Sequence, residues 1–353
     1  MTGPRPATIY DVAKLAGVSH QTVALYLRGH RGFRETTRER VEAALAELNY
    51  RPNLAARSLA TSKSHRLGAL VYELTEVGPS KTIQGASERA RAAGYLLDII
   101  NLDPTDERAI DGALGQLGQQ DLAGILAFAP VDLIAEKIAS VPFNVPVITE
   151  AEREDTHDAP PDGINRPGLD LLVDYLVGLG HRRFFHLAGP ADWVASRNRS
   201  TAYEDALARH GLESVGSIAG DWGAASGHAA AVRMPLDAGV TAVIAANDQM
   251  ALGALLAFEQ RGVSVPRDVS VTGFDDIPES AFYRPPLTTV RVDYAQQGRV
   301  LVERLLRLID PALVVEPEVT TPPELVARSS TAPPRAGRAD SRRPGMPPAD
   351  TGL

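Results

Sequence analysis

At 353 residues the chain is long enough for two or three domains, and 44% hydrophobic residues suffice for sizeable cores. The absence of cysteine excludes disulfides, thiolate metal sites, iron–sulfur clusters and a cysteine nucleophile. The net charge of −8 averages two opposites: residues 1–66 carry eleven Lys or Arg against five acids, and residues 67–353 carry 25 against 39. A basic head of +6 on an acidic body of −14 points to a polyanion-binding module joined to something else.

The N-terminus, MTGPRPAT, lacks the charged-then-apolar pattern of an export signal. The longest apolar stretch, Leu122–Val131, is far short of a membrane span. A soluble cytoplasmic protein with no membrane partner is expected.

In chain order, residues 8–50 read as three short helices. Thr8 and Asp11 approximate a capping box, and Ile9, Val12, Ala13 and Ala16 have helical apolar spacing. Gly17 breaks that helix, and Ser19 caps a second from His20 to about Leu27. A third opens at Thr36 or Thr37, buries Val41, Ala44, Leu45 and Leu48, and stops before Pro52. Residues 53–60 are good helix formers but too few to hold a helix alone in water.

From Leu67 apolar runs alternate with helical stretches. The runs are Leu67–Leu74, Tyr95–Leu102, Gly124–Phe128, Val145–Thr149, Phe184–Leu187, Ala242–Ala246, Val269–Gly273 and Thr288–Val292. The helical stretches are Ile83–Ala93, Glu107–Leu117, Leu169–Leu179, Ser196–His210, Met250–Gln260 and Tyr294–Leu308. Such alternation predicts an α/β body with parallel sheets, and its length favours two lobes. Residues 331–353, rich in Pro, Arg, Ala and Gly, are expected to be disordered.

The segment IYDVAKLAGVSHQTVALYL has helix-turn-helix spacing. A second helix opening with Ser19, His20, Gln21 and Thr22 presents short polar side chains suited to a DNA groove, and the local positive charge suits phosphates.

ATIYDVAKLAGVSHQTV, followed by TRERVEAALAELNYRPNLAARSLAT, resembles the DNA-binding head and hinge of the lac repressor (LacI/GalR) family. The resemblance makes His20 and Gln21 base readers, with Ser19 and Thr22 at or near phosphates. It makes NLAARSLA a hinge helix that folds where two subunits meet in the minor groove. Leu59 matches the residue that wedges between base pairs, flanked by Asn53 and Arg57. The chain departs from the family pattern after Thr22, where Ala24 and Leu25 stand in place of Ser and Arg. These two are expected to pack in the core of the head.

In the body, LGHRRFFHLAGP, GDWGAASG, AANDQMALGALLAFEQRGVSVPRDVSVTGFDDIPES and RPPLTTVRVDY resemble the same family's effector domain, akin to periplasmic sugar-binding proteins. Asn247 and Asp275 follow apolar runs, at strand C-termini where open α/β folds bind ligands. With Arg197 they supply paired polar groups for sugar hydroxyls, and Trp222 supplies an apolar face. The resemblance places arginine, tryptophan, asparagine and first aspartate in the inducer pocket, with Tyr294 beside it. The GDW context favours a glycoside over a purine. Asp248 reads as a helix cap and His181 as a structural cap. The string DGINRPGLDLL, with Asn165 near the crossover, departs from the family's Asp–Gly and leaves that wall of the pocket unassigned.

The expected domains are a helix-turn-helix head at 1–51, a hinge and linker at 52–66, a two-lobed periplasmic-binding-protein-like effector and dimerisation domain at 67–330, and the tail. Lobe crossovers fall near 163–166, 290–293 and 320–323. No phosphate-loop, dinucleotide, nucleophile-elbow or zinc-protease motif is present, so no enzyme, cofactor or metal is expected. The resemblance implies a homodimeric repressor of carbohydrate genes that binds a near-palindromic operator in double-stranded DNA under control of a sugar or glycoside. The alternatives are a DNA-binding dimer without a sugar ligand and a sugar-binding transport protein.

Overall fold

The structure, a computed structural model, describes residues 7–27, 30, 32–50, 64–102, 106–129, 131–150, 163–313 and 321–335. The chain divides into two compact units after His65.

The first unit contains α1 (Ile9–Ala16), α2 (His20–Leu27) and α3 (Glu35–Glu47). Thr8 and Asp11 close the capping box: Asp11 Oδ2 accepts from Thr8 N at 2.8 Å and Thr8 Oγ1 accepts from Asp11 N at 3.4 Å. Gly17 ends α1 at φ +63°, a left-handed conformation that glycine adopts at little cost, and Val18 N donates back to Ala13 O. Ser19 Oγ accepts from Thr22 N at 3.1 Å and caps α2. Val12, Ala13, Ala16, Val23, Val41 and Ala44 form one small core shared by the three helices. Tyr26 donates to Glu42 at 2.8 Å and ties α2 to α3.

One expectation fails here. Ala24 is half-buried and Leu25 is 43% exposed. Val23 takes the inward face of α2, and two residues further on the helix has turned about 200° from it.

The second unit begins with β1 (Arg66–Tyr72), α4 (Val77–Ala92), β2 (Leu96–Leu102), α5 (Glu107–Gln119), β3 (Gly124–Phe128), α6 (Asp132–Ser140) and β4 (Val147–Glu150). Its four strands are parallel in the order β2-β1-β3-β4. A second lobe follows: α7 (Asn165–Gly178), β5 (Phe184–Ala188), α8 (Val194–Arg209), β6 (Ser214–Ala219), α9 (Ala224–Arg233), β7 (Ala242–Ala245), α10 (Asp248–Gln260) and β8 (Ser270–Thr272). This sheet is also parallel, in the order β6-β5-β7-β8. Strands β3, β5 and β7 are buried along their whole length, as expected for parallel sheets covered on both faces.

After β9 (Thr289–Arg291) the chain returns to the first lobe as α11 (Tyr294–Ile309), then re-enters the second as β10 (Glu324–Val326), antiparallel to β9. Leu301, Leu305 and Leu306 of α11 pack with Leu67 and Leu126 of the first sheet. Helices α4 and α11 cross so closely that a Cβ on Gly85 would lie 1.9 Å from Ala295 O, and one on Gly298 1.9 Å from Thr82 O. Only glycine fits either place. The chain thus passes between the lobes after β4, after β9 and after α11.

The spacing of apolar residues misses α6, α9, β6 and β10, and places the start of α4 six residues late. The composition-based expectation of disorder from Thr331 also fails at its near end. Thr331 is 9% exposed, and Ala332 O accepts from Ser270 Oγ at 3.1 Å and bonds His181 Nε2 at 2.9 Å. The other nitrogen, His181 Nδ1, bonds Thr241 Oγ1 at 3.0 Å, so this buried histidine ties the C-terminal segment to the second lobe. The rest of the tail, from residue 336, lies outside the described residues. No helix among the described residues is long and apolar enough to cross a membrane.

Candidate functional site

A cavity of about 140 Å³ lies between the two lobes of the second unit. The first lobe supplies Tyr72 from the end of β1, Glu76 to Pro79 from the start of α4, Phe128 from β3 and Glu150 from β4. The second lobe supplies Trp193, Ala195, Arg199, Trp222, Asn247 and Asp275, and α11 adds Tyr294, Gln297 and Leu301. The second-lobe groups sit beyond the C-terminal ends of parallel strands, the usual place for a ligand in an open α/β fold.

Arg199 organises one wall. Its guanidinium donates to Asn165 Oδ1 at 3.0 Å, to the carbonyl of Ala246 and to Tyr294 OH at 3.2 Å. It lies 3.6 Å from Asp275 Oδ1 and stacks over Phe274 at 4.1 Å. Tyr294 OH donates to Asp275 Oδ1 at 2.6 Å. Burial pushes the Asp275 carboxyl above the usual carboxylate range, against the pull of Arg199 and Tyr294. Burial likewise raises the Tyr294 phenol, so it stays protonated as a donor.

Asn247 is both lining and support. Its Oδ1 accepts from Met250 N at 2.9 Å and caps α10, while its Nδ2 donates to Trp222 O at 2.9 Å. Trp222 is held at φ +71° and Asp275 at φ +108°. Non-glycine residues enter that region at a cost of about 1–3 kcal/mol, and such strain concentrates at binding sites. Trp222 is 7% exposed, lies 5.8 Å from Trp193 ring to ring, and Trp193 lies 5.2 Å from Tyr72 across the cleft.

Four of the five expected pocket residues, Trp222, Asn247, Asp275 and Tyr294, line this cavity. Arg197 does not. It donates to Asp192 O at 2.9 Å and to Asp132 Oδ2 at 3.2 Å, joining α8 to α6 beside the cleft. Helix α8 starts at Val194, and on it Ala195 and Arg199 are one turn apart on the cavity face, whereas Arg197 projects from the other side. Asp248 does not line the cavity, and it is not the expected helix cap, since Asn247 caps α10: it accepts instead from Ile277 N, Ser280 Oγ and Thr289 Oγ1, at 2.9, 2.6 and 2.6 Å. Burial, reinforced by Asp275, pushes it up to about 7.

Residue spacing gave no sign of the first-lobe wall. Glu76, Gly78 and Pro79 stand in the stretch left unassigned between Leu74 and Ile83, yet α4 opens there. Proline is tolerated in a helix's first turn, where its missing N–H has no partner to lose. Asn165, left unassigned in sequence, is the buried acceptor that orients Arg199.

In the head, Ser19, His20 and Gln21 are exposed at the N-terminal end of α2 and Thr22 is half-buried. The His20 ring rests 5.1 Å from that of Tyr10. Asn53, Arg57 and Leu59 lie outside the described residues.

Comparison with known proteins agrees with both halves. Residues 8–53 match the model of bacterial regulatory proteins of the lacI family, and residues 173–331 match a periplasmic binding protein-like domain. The lactose operon repressor of Escherichia coli K12 is 36% identical over 346 residues, covering 96% of this chain and 94% of that protein. The ribose operon repressor of the same strain is 32% identical, covering 92% and 99%. A crystal structure of the lac repressor dimer bound to operator and an anti-inducer superposes with a TM-score of 0.78 at 35% identity, covering 93% of this chain and all of that one. A regulator–cellobiose complex superposes at 0.64 and 27% identity, covering 92% and 99%. The chain belongs to the lacI family of bacterial regulatory proteins.

Proposed function

We propose that the chain is a DNA-binding transcriptional regulator, a repressor of carbohydrate-utilisation genes. Its operator affinity is set by a small sugar or glycoside held between the lobes. One observation carries this reading. A basic three-helix head presenting Ser19, His20 and Gln21 is joined to a body whose cavity gathers Arg199, Asp275, Asn247 and Trp222. Sugars need paired donors and acceptors for hydroxyls and an apolar ring for their C–H face, and these four supply both. Arg197 is withdrawn from that set. Relatives named for the lactose and ribose operons support the carbohydrate reading and a role without catalysis.

A homodimer follows from the surface. Leu252 and Leu256 of α10 are 41% and 48% exposed, Val232 of α9 is 47% exposed, and Leu96 and Ile99 of β2 are 51% and 45% exposed. Apolar faces of this kind on both lobes suit a self-complementary two-fold contact. Two heads then face two half-sites of a near-palindromic operator. His20 and Gln21 read bases, Ser19 and Thr22 reach phosphates, and Asn53, Arg57 and Leu59 act in the hinge. Such a protein works in the cytoplasm, at the nucleoid.

Selection of bound duplexes from a random DNA pool by the purified chain tests the head. We expect enrichment of a near-palindrome. Exposed Leu25, one turn after Gln21, favours a thymine methyl in each half-site where an arginine would favour guanine. Recovery of unselected sequence would contradict the reading.

A further inference from the structure

The cavity holds more negative charge than a neutral sugar needs. The charge of Asp275 is met by Arg199 at 3.6 Å and by the Tyr294 hydroxyl. Glu76 is not met in this way. It sits at the cap position of α4 without capping it, lines the cavity, and has no hydrogen-bond or ion-pair partner for its carboxylate among the described residues. Burial, reinforced by the carboxylates of Glu73, Asp275 and Asp221, raises its pKa. Glu150 lines the same cavity. A half-buried carboxylate among carboxylates favours a cation over a hydroxyl, because only a cation offsets both desolvation and repulsion.

The rings point the same way. Tyr72, Trp193 and Trp222 stand edge to face in series at 5.2 and 5.8 Å, and the two tryptophans are the only ones in the chain. Aromatic faces attract an ammonium group as well as sugar C–H bonds. Independently, Trp222 Nε1 is buried with no acceptor among the described residues, a donor that a ligand oxygen would satisfy.

We propose that the effector is an amino sugar, with Glu76 receiving its protonated amine while Arg199, Asp275 and Trp222 hold its hydroxyls and ring. This rests on the cavity being a sugar site. Glu76 is then the specificity-determining residue, and the class of enzyme encoded under this regulator's control acts on aminated carbohydrate.

Tryptophan fluorescence of the full-length chain reads occupancy directly, since both indoles line the cavity. The probes are matched pairs at about pH 6.5: glucose and glucosamine, galactose and galactosamine, mannose and mannosamine, and the N-acetyl form of each amine. We expect one amine to bind about tenfold or more tightly than its neutral partner, and its N-acetyl form to lose that advantage. In Glu76→Gln, checked for an unchanged melting curve, the amine and its neutral partner should bind alike. If a neutral sugar binds as tightly as its amine, or the preference survives in Glu76→Gln, the amine inference falls and the sugar reading stands. If no member of any pair binds, both fall.

Discussion

Arg197 and Arg199 stand two residues apart on α8, which turns them about 200° from each other. Both occur in the string SRNRS, and nothing in that string says which faces the cleft. The answer comes from where the helix begins and from Asn165 and Tyr294, which reach Arg199 from distant parts of the chain. By contrast Asn247 and Asp275 are legible in sequence because each follows an apolar run that reads as a strand, and strand ends define the site, whereas Trp222 is legible only through the family resemblance of its GDW context. The two arginines are separable by experiment. Arg199→Lys keeps a charge beside Asp275 but loses the planar fork, and should lower sugar affinity by about tenfold or more. Arg197→Lys alters bonds to Asp192 O and to Asp132 outside the cavity lining, and should change affinity by no more than about twofold. Calorimetric titration of both variants checks this; the reverse ranking would contradict the assignment.

Element by element, legibility followed burial. Strands β3 and β7 are continuous apolar runs, and β5 is one but for His186, so all three read plainly, whereas β6 alternates small and partly exposed residues at a sheet edge and gives no such signal. Helix α9, AASGHAAAVR, carries Gly227 because α10 passes against it: a Cβ there would lie 2.2 Å from Met250 O. A glycine required by tertiary packing looks, in sequence, like a loop. At the centre of β5, His186 donates from Nδ1 to Ile244 O at 2.9 Å and stacks on Tyr203 at 4.7 Å. Burial lowers its pKa to about 4 from an ordinary 6.5. A base whose folded pKa is depressed contributes full stability above its unfolded pKa and loses it as pH falls toward the folded value. Between pH 6.5 and 5 this amounts to about 2 kcal/mol at about 1.4 kcal/mol per unit. His186→Phe keeps the stack and gives up about 1 kcal/mol of hydrogen bond at neutral pH. Its melting temperature should therefore start below that of the parent at pH 7 and meet or pass it near pH 5. A gap that stays constant across that range would contradict the buried neutral imidazole.

Across the whole molecule, the division of charge matches the division of labour. The head, at +6, suits phosphates and the body, at −14, does not, so operator binding is predicted to weaken steeply as salt rises. The body's three passes between its lobes bring Asp275 of the second lobe, Tyr294 of α11 and Glu76 of the first lobe to one cleft, so a ligand there ties the lobes together. If that closure is coupled to the heads, the coupling is a single free energy felt at both sites. The measurement that bears on it is the operator Kd with and without saturating sugar, paired with the sugar Kd, read from tryptophan fluorescence, with and without saturating operator. We predict that sugar changes operator affinity by about fivefold or more, and that operator changes sugar affinity by the same factor in the same direction. An operator Kd that does not move while the cavity is saturated would contradict the account.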